Sequence, residues 1–401
     1  MAKHILVISQ YFHPEPFRIS DMCRDLVARG YRVTVVTGIP NYPEGKTYPG
    51  YGLFRRRRET WEGMDIIRLP LIPRGKSALG LVLNYLSFVV SGFFWQLFTP
   101  LKADQVFTFE VSPMTQALIG VWYAKRRKIP HTLYVQDLWP ENVQIVTGIQ
   151  SKAVIRPIEK MVSYIYRHCT RILGTSPSFV TEIQKRTDDP AKVSYWPQYA
   201  ESFYAPQPRL PHPLIPEDGN FRLIFTGNIG KAQGLELLPQ AAKLLKGQPF
   251  RFVIVGDGRN KDELLAAIRQ AQVEDMFQLI GRQPAEEIPG LLSACHAAFL
   301  SFMDDPLFEK TIPAKLQSYM ACAMPVVAAA KGETQRILRE ADCGICTPIG
   351  DAQALAASLQ TLAAGEDLSR LGHNARRYFL ANFEKQTLMD RFQRSILEEL
   401  A

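Results

Sequence analysis

Two lysines, Lys310 and Lys315, flank a helix start at Pro313 in the stretch SFMDDPLFEKTIPAKLQSYMACAMPVVAAAKGE, Ser301 to Glu333. Proline suits a first helical position because its missing N–H would be an orphan there. The free N–H groups and the dipole of a helix start favour an anion, and two ammonium groups add to that field. The chemistry this spacing asks for is capture of a phosphate or carboxylate; an ordinary strand–helix–strand unit with two solvated lysines is the rival reading. Gly227 and Gly230, in FTGNIGKAQG, stand between a strand and a helix, where backbone N–H groups lie open to a phosphate. A second constellation is acidic. LYVQDLWPENV ends an apolar strand with Asp137, Trp139 and Glu141. A carboxylate at such a strand end can orient a hydroxyl or receive its proton; a structural cap is the alternative.

These side chains need a frame that gathers strand ends. FLSF and PVVAAA read as buried strands around a helix over about 313–323. HILVISQYF, the amphipathic SDMCRDLVARGYRV and VTVVTG open the chain as strand, helix and strand, and QVFTF, HTLYV and ILGTS follow as further strands. That order implies a doubly wound parallel sheet, whose ligands sit beyond the carboxyl ends of its strands. Five prolines between Pro206 and Pro216 form a semi-rigid connector. FRLIFTG and FRFVIVGDG then restart the pattern. The lone G-D-G is weak evidence for a dinucleotide, and Lys261 holds the place of the third Rossmann glycine, which weighs against an oxidoreductase.

A chain of 401 residues predicts two domains. At 46% hydrophobic and 21% charged it is ordinary globular material. Residues 1–200 hold 26 Lys/Arg against 15 Asp/Glu (+11), and the rest holds 21 against 24 (−3). The basic half is therefore expected to meet something anionic. Six scattered cysteines suggest no disulfide framework and fit a reducing cytoplasm. Cys343 and Cys346 form a C-x-x-C with no second pair at zinc spacing, so no metal is expected. The opening MAKHILVIS reads as a strand rather than a signal peptide. From Ser77 to Leu101 no charged residue occurs, with Lys76 and Lys102 at the ends. That length could span a bilayer, but Rossmann-like pattern on both sides predicts helices resting on a membrane or on the core. With Arg55–Arg58 and Lys125–Lys128 as the charged partners, the expectation is a peripheral protein on the cytoplasmic face of the inner membrane.

KTIPAKLQSYMACAMPVV resembles the donor-binding segment of the family-4 retaining glycosyltransferases, and its P-x-K before Y-M-A resembles the WbuB-like aminosugar transferases of O-antigen and capsule assembly. The N-Y-P-x-G loop at Asn41 and Tyr42 and the D-x-W-P segment at Asp137 resemble the same subgroup. The resemblance implies the GT-B fold, two Rossmann-like α/β domains facing a central cleft: an acceptor and membrane domain over 1–205, a donor domain over 206–384 and a terminal helix over 385–401 crossing back. It implies a UDP-sugar donor held by Gly227, Asn228, Gly230, Lys231, Gln233, Arg282, Glu309, Lys310, Thr311, Ile312, Lys315 and Ser318. Ser318 and Lys310 stand where many members carry two glutamates, and Asn228 and Gln233 where many carry Arg and Lys. Arg18 occupies the place of a Gly-Gly turn, and with Asp137, Glu141 and Lys310 it is a catalytic candidate; Asn41, Tyr42, Glu110 and Trp139 are acceptor candidates. The implied reaction moves a sugar, such as N-acetyl-fucosamine, from UDP to a polyprenyl-diphosphate-linked saccharide, with retention and without a metal, cofactor or nucleic-acid partner. A UDP-sugar epimerase and a non-catalytic nucleotide-sugar-binding subunit are the alternatives.

Overall fold

A computed structural model describes residues 2–75, 77–215, 217–365 and 367–398. Lys76 and Pro216, named above, lie outside the described residues, as do 399–401 of the terminal segment. The chain divides into two compact units, Met1–Trp196 with Met389–Ala401, and Pro197–Leu388. The first division thus falls ahead of the proline-rich connector rather than at 205, and the return falls after Leu388 rather than 384.

The first unit holds an eight-stranded sheet of β1 (His4–Ile8), β2 (Arg32–Gly38), β3 (Arg58–Trp61), β4 (Met64–Leu69), β5 (Gln105–Glu110), β6 (His131–Val135), β7 (Arg171–Gly174) and β8 (Val193–Tyr195). Their order is β3-β4-β2-β1-β5-β6-β7-β8. Every pair is parallel except β3–β4 at the edge. Strands β1, β5 and β6 are buried throughout, which is why they read as continuous apolar runs rather than alternating ones. The order reverses between β1 and β5, so a crevice opens beyond their carboxyl ends. The returning segment completes this core. Phe392 packs at 5.2 Å from the rings of Phe107 and Trp196, Gln105 donates to the Ile396 carbonyl at 3.2 Å, and Arg29 pairs with Asp390 at 2.7 Å.

Helices α1 (Ile19–Ala28), α2 (Ala78–Phe98), α3 (Ala117–Arg127), α4 (Glu141–Thr147) and α5 (Lys152–His168) lie among these strands. The uncharged stretch is one helix of 21 residues, not several. Its polar face is stitched to the preceding segment: Asn84 donates to the Ile72 carbonyl at 2.7 Å, Ser91 to Pro70 at 2.6 Å, and Ser87 accepts from the Ile72 N–H at 2.9 Å. Phe88 is fully buried there. The opposite face carries Leu79, Val82, Leu86, Val90, Phe94 and Phe98, all exposed. One flank thus rests on the core while the other is left apolar and uncovered.

The second unit holds β9 (Phe221–Thr226), β10 (Phe250–Val255), β11 (Phe277–Ile280), β12 (Ala297–Ser301), β13 (Val326–Ala329) and β14 (Gly344–Thr347). They are ordered β11-β10-β9-β12-β13-β14 and parallel throughout. This is the Rossmann order, with its switch point between β9 and β12. Phe225, Phe252, Phe299 and Val327 fill one side of it, and full burial of each such side chain stabilises the unit by about 1.5–3 kcal/mol.

Candidate functional site

Strands β9 and β12 register through Leu223–Ala297 and Ile224–Ala298, and the loops that follow them carry the basic constellation. After β9 the chain turns at Gly227, φ +134°, against Gly256, φ +143°. A Cβ at Gly256 would lie 1.9 Å from the Gly227 carbonyl oxygen, so only glycine permits the two loops to touch backbone to backbone. Behind that contact Lys315 rises from the first turn of the helix Ala314–Ala321. Its Nζ donates to the Gln233 side-chain oxygen and stands 4.4 Å from the Phe225 ring centroid. A Cβ at Gly227 would be 3.3 Å from Lys315 Cδ, so loop and lysine are neighbours. Lys315 is half-buried. Burial, with no carboxylate among the described residues to oppose it, pulls its ammonium down to about 7. A desolvated lysine with no carboxylate partner among the described residues, at a helix start whose N-cap Pro313 offers no side-chain acceptor, is chemically suited to meet an anion.

The remaining donor candidates fall around it unevenly. Lys231 and Gln233 bound a single 3₁₀ turn, and the Asn228 amide lies over Gly230. Glu309 ends the short helix Pro306–Glu309, and Lys310 caps it. The Glu309 carbonyl lies 1.9 Å from where a Cβ on Gly332 would stand. Thr311 bonds the Leu307 carbonyl at 2.9 Å, Ile312 is buried, and Ser318 donates to Ala314 at 3.2 Å. The hydroxyl at the family's glutamate position therefore bonds its own helix. Arg282 is exposed in the loop after β11. Sequence reasoning missed Tyr319, whose buried hydroxyl accepts from the Thr226 N–H at 3.0 Å and pins the end of β9 to the lysine-bearing helix.

In the first unit the acidic constellation assembles beyond β5 and β6. Glu110 ends β5 fully buried, and the Asp137 N–H reaches its Oε2 at 3.4 Å. Asp137 accepts from the Ser112 N–H at 2.8 Å. The Ser112 hydroxyl oxygen accepts from Trp139 Nε1 at 3.0 Å and Asn142 Nδ2 at 2.8 Å. Burial raises Asp137 and raises Glu110 well above the usual carboxylate range, the neighbouring Asp137 charge adding to the latter. Glu141, in contrast, is forked against Arg186, one oxygen at 3.0 Å. That ion pair ties the start of α4 to Arg186 and gives this carboxylate a structural partner instead of a free one.

Arg18 sits at the N-cap of α1. Beside it Phe17 stacks on Tyr11 at 5.0 Å, and both meet Tyr42. Asn41 is buried, its side-chain oxygen taken by the Arg74 N–H at 3.1 Å and by Asn84. The residue that holds this loop is Glu15, which sequence reasoning passed over. It is buried and accepts from the N–H groups of Asn41 at 2.8 Å, Tyr42 at 2.7 Å and Phe12 at 3.3 Å. Burial nevertheless pushes its carboxyl up to about 7. An acidic residue in PEPF offers no local sign of partners so far along the chain.

Sequence comparison meets this geometry from outside. The family pattern described as glycosyl transferases group 1 matches residues 209–378, and that of the glycosyl transferase 4-like domain matches 17–197. The protein named as glycosyltransferase WbjE of Pseudomonas aeruginosa is 28% identical over 65% of this chain and 66% of its own length. The protein named for colanic acid biosynthesis, glycosyl transferase WcaI of Escherichia coli, is 27% identical over 82% and 84%. Among solved structures, Anabaena HepE in complex with UDP superposes with a TM-score of 0.70 at 15% identity, covering 99% of this chain and all of that one. Two parallel Rossmann-like sheets, the glycine–lysine site at the switch point of one and the matching patterns over both place this chain in the group 1 glycosyltransferase family, with the GT-B fold.

Proposed function

We propose that the protein transfers an N-acetylated aminosugar, such as N-acetyl-fucosamine, from a UDP-sugar to a polyprenyl-diphosphate-linked saccharide in bacterial surface polysaccharide assembly. The observation that carries the donor half is Lys315, a desolvated ammonium with no carboxylate partner among the described residues, beside the Gly227 loop. The diphosphate supplies the missing charge, and the preorganised cation stabilises UDP as it leaves. The HepE complex with UDP and the names of WbjE and WcaI support the donor class and the setting. In the step itself the acceptor oxygen bonds the anomeric carbon, the bond to the β-phosphate oxygen breaks with its electron pair going to UDP, and the hydroxyl proton passes to Asp137. Retention and independence of metal belong to this reading. Incubation with a panel of UDP-sugars and purified lipid-linked acceptor tests it. Transfer is expected. An isomerised donor without acceptor makes the protein an epimerase, and UDP binding with neither outcome makes it a binding subunit.

The same reading places the enzyme on the cytoplasmic membrane face through its first unit. Helix α2 is long and apolar enough to cross a membrane, but its Asn84, Phe88 and Gln96 are buried against its own unit. A helix committed on one flank and apolar on the other lies in the plane of a bilayer surface. The exposed basic side chains Lys125, Arg126 and Lys128 at the end of α3 are suited to anionic headgroups, each contributing about 1 kcal/mol. The Arg55–Arg58 run is partly engaged already, with Arg57 bonded to the Arg68 and Leu53 carbonyls. Wild type is expected to float with anionic liposomes at low salt and to be partly released by high salt. Leu86→Asp with Val90→Asp should leave it at the bottom of the gradient, and wild type found there would end the membrane claim.

A further inference from the structure

Arg74, in the segment between β4 and α2, is held firmly by its backbone and left open at its charge. Its N–H donates to the Asn41 side-chain oxygen at 3.1 Å, and Asn84 Nδ2 reaches the same oxygen at 3.4 Å. The next residue, Gly75, donates to the Gly45 carbonyl at 3.2 Å. Gly45 stands at φ +73°, and a Cβ there would lie 2.5 Å from the Gly75 carbonyl oxygen, so only glycine lets the loop after β2 close on this segment. The guanidinium has no such tie. It is half-buried and lies over the Tyr42 ring, 5.3 Å from its centroid, with no ion-pair or hydrogen-bond partner among the described residues. An aromatic face steadies a cation but occupies none of its N–H donors.

The amides that fix Arg74 also lead to Asp137. Gln10 Nε2 donates to Asn84 Oδ1 at 2.7 Å, and the Gln10 N–H to Gln116 Oε1 at 2.7 Å. Gln116 Nε2 donates to the Val111 carbonyl, one residue before the Ser112 whose N–H holds Asp137. Asn41, Asn84, Gln10 and Gln116 are all buried, so the cation and the carboxylate belong to one fixed frame. Tyr85 of α2 borders both and is only half-buried. Burial raises its phenol, while Arg74 opposes that rise and Asp137 adds to it. Its helix neighbours Val82 and Leu86 are exposed. An apolar strip, an open cation and a carboxylate therefore meet around one accessible side chain.

We infer that Arg74 binds the diphosphate of the lipid-linked acceptor and, with Asp137, sets the direction in which that acceptor lies: polyprenyl chain along the start of α2, diphosphate at Arg74, sugar hydroxyl at Asp137. Lipid, diphosphate and sugar follow one another along the acceptor as the apolar strip, the cation and the carboxylate do on the protein. A guanidinium fork matches phosphate oxygens two at a time and keeps its charge at every working pH. A diphosphate turned the other way would meet the like charge of Asp137. The inference rests on the acceptor reading above, but diphosphate binding is measurable without transfer.

Geranyl diphosphate, titrated by calorimetry into the whole chain saturated with UDP, is the probe that needs no transfer. Wild type is expected to bind it, Arg74→Met to bind it about 10- to 100-fold more weakly, and Arg74→Lys to recover part of the loss. No binding by wild type, or equal binding by Arg74→Met, overturns the inference even where transfer itself is observed. Kinetics then test the direction. Transfer to the diphosphate-linked saccharide is compared with transfer to the same saccharide on an octyl group. Wild type should favour the diphosphate by about tenfold or more in kcat/KM, and Arg74→Met should erase that preference through KM. A preference that survives Arg74→Met refutes the site. Flotation separates the acceptor from a lipid headgroup: Arg74→Met should float with anionic liposomes as wild type does, and its loss from them would assign the arginine to headgroups instead. Unaltered UDP affinity in each variant certifies folding. Geranyl diphosphate bound through Arg74 without transfer to either acceptor overturns the transferase reading alone.

Discussion

Lys315→Ala is expected to raise the dissociation constant for UDP about 10- to 100-fold and to lower kcat with it. A hydrogen bond to a charged group is worth roughly 1.5–3 kcal/mol, and tenfold in affinity is about 1.4 kcal/mol. The charge holds the bound diphosphate and holds it more strongly as the leaving UDP gains negative charge, so its removal should weaken binding and lower turnover together. Stability should move the other way. Burial holds the ammonium near 7 in the free protein against an ordinary value of 10.5. The folded state therefore binds fewer protons than the unfolded one between those values, and stability rises with pH across that window. The cost is fully present below about 7 and is relieved as pH approaches 10.5. Lys315→Met should flatten that rise and melt higher than wild type at pH 7. UDP should reverse the effect by recharging the amine, so binding at pH 8 should take up protons, read by calorimetry in buffers of different ionisation enthalpy. Wild-type UDP affinity in Lys315→Ala would remove the diphosphate from this helix start.

What could be read without coordinates was whatever repeats or sits next to its partner. Buried parallel strands declare themselves as unbroken apolar runs, and the glycines of FTGNIG and VGDG declare close backbone approach; both are local signals. Lys315 was legible because a lysine one residue inside a helix start is a local pattern too. Its bond to Gln233 was not, since 82 residues separate them. The same distance problem hid Glu15, whose acceptor role toward Asn41 and Tyr42 exists only once β1 and β2 lie side by side. Glu141 shows the same distance problem: its place near the D-x-W-P segment was legible, but its ion pair with Arg186, 45 residues on, was not. Ser112 had no signal of its own; Trp139 and Asn142, 27 and 30 residues on, converge on its hydroxyl oxygen while its N–H holds Asp137. The uncharged stretch was legible as apolar, but only the bonds from Asn84, Ser87 and Ser91 to the 70–72 segment decide which flank faces inward.

Asp137→Asn should cut transfer by about 10²-fold or more while leaving UDP affinity at the wild-type value. The first effect follows from the loss of a group that orients the acceptor hydroxyl and takes its proton, a contribution of about 10²–10⁴ in rate. The second follows because Gly227 and Lys315 belong to the other unit. Stability separates this from a structural cap. Burial holds the Asp137 carboxyl above its ordinary value, so the folded state binds the proton more tightly than the unfolded one. The ionised form is then a cost that is absent at low pH and complete above the raised value. An asparagine of the same shape carries no charge and can still accept from the Ser112 N–H, so the variant should melt no lower than wild type at neutral pH. A merely structural aspartate predicts the opposite pair: transfer retained, with a lower melting temperature. Single-turnover transfer, UDP calorimetry and thermal melts on one preparation distinguish the two. Unchanged transfer in a folded Asp137→Asn would take the proton-accepting role away from this carboxylate and leave it as the cap on the loop between β6 and α4.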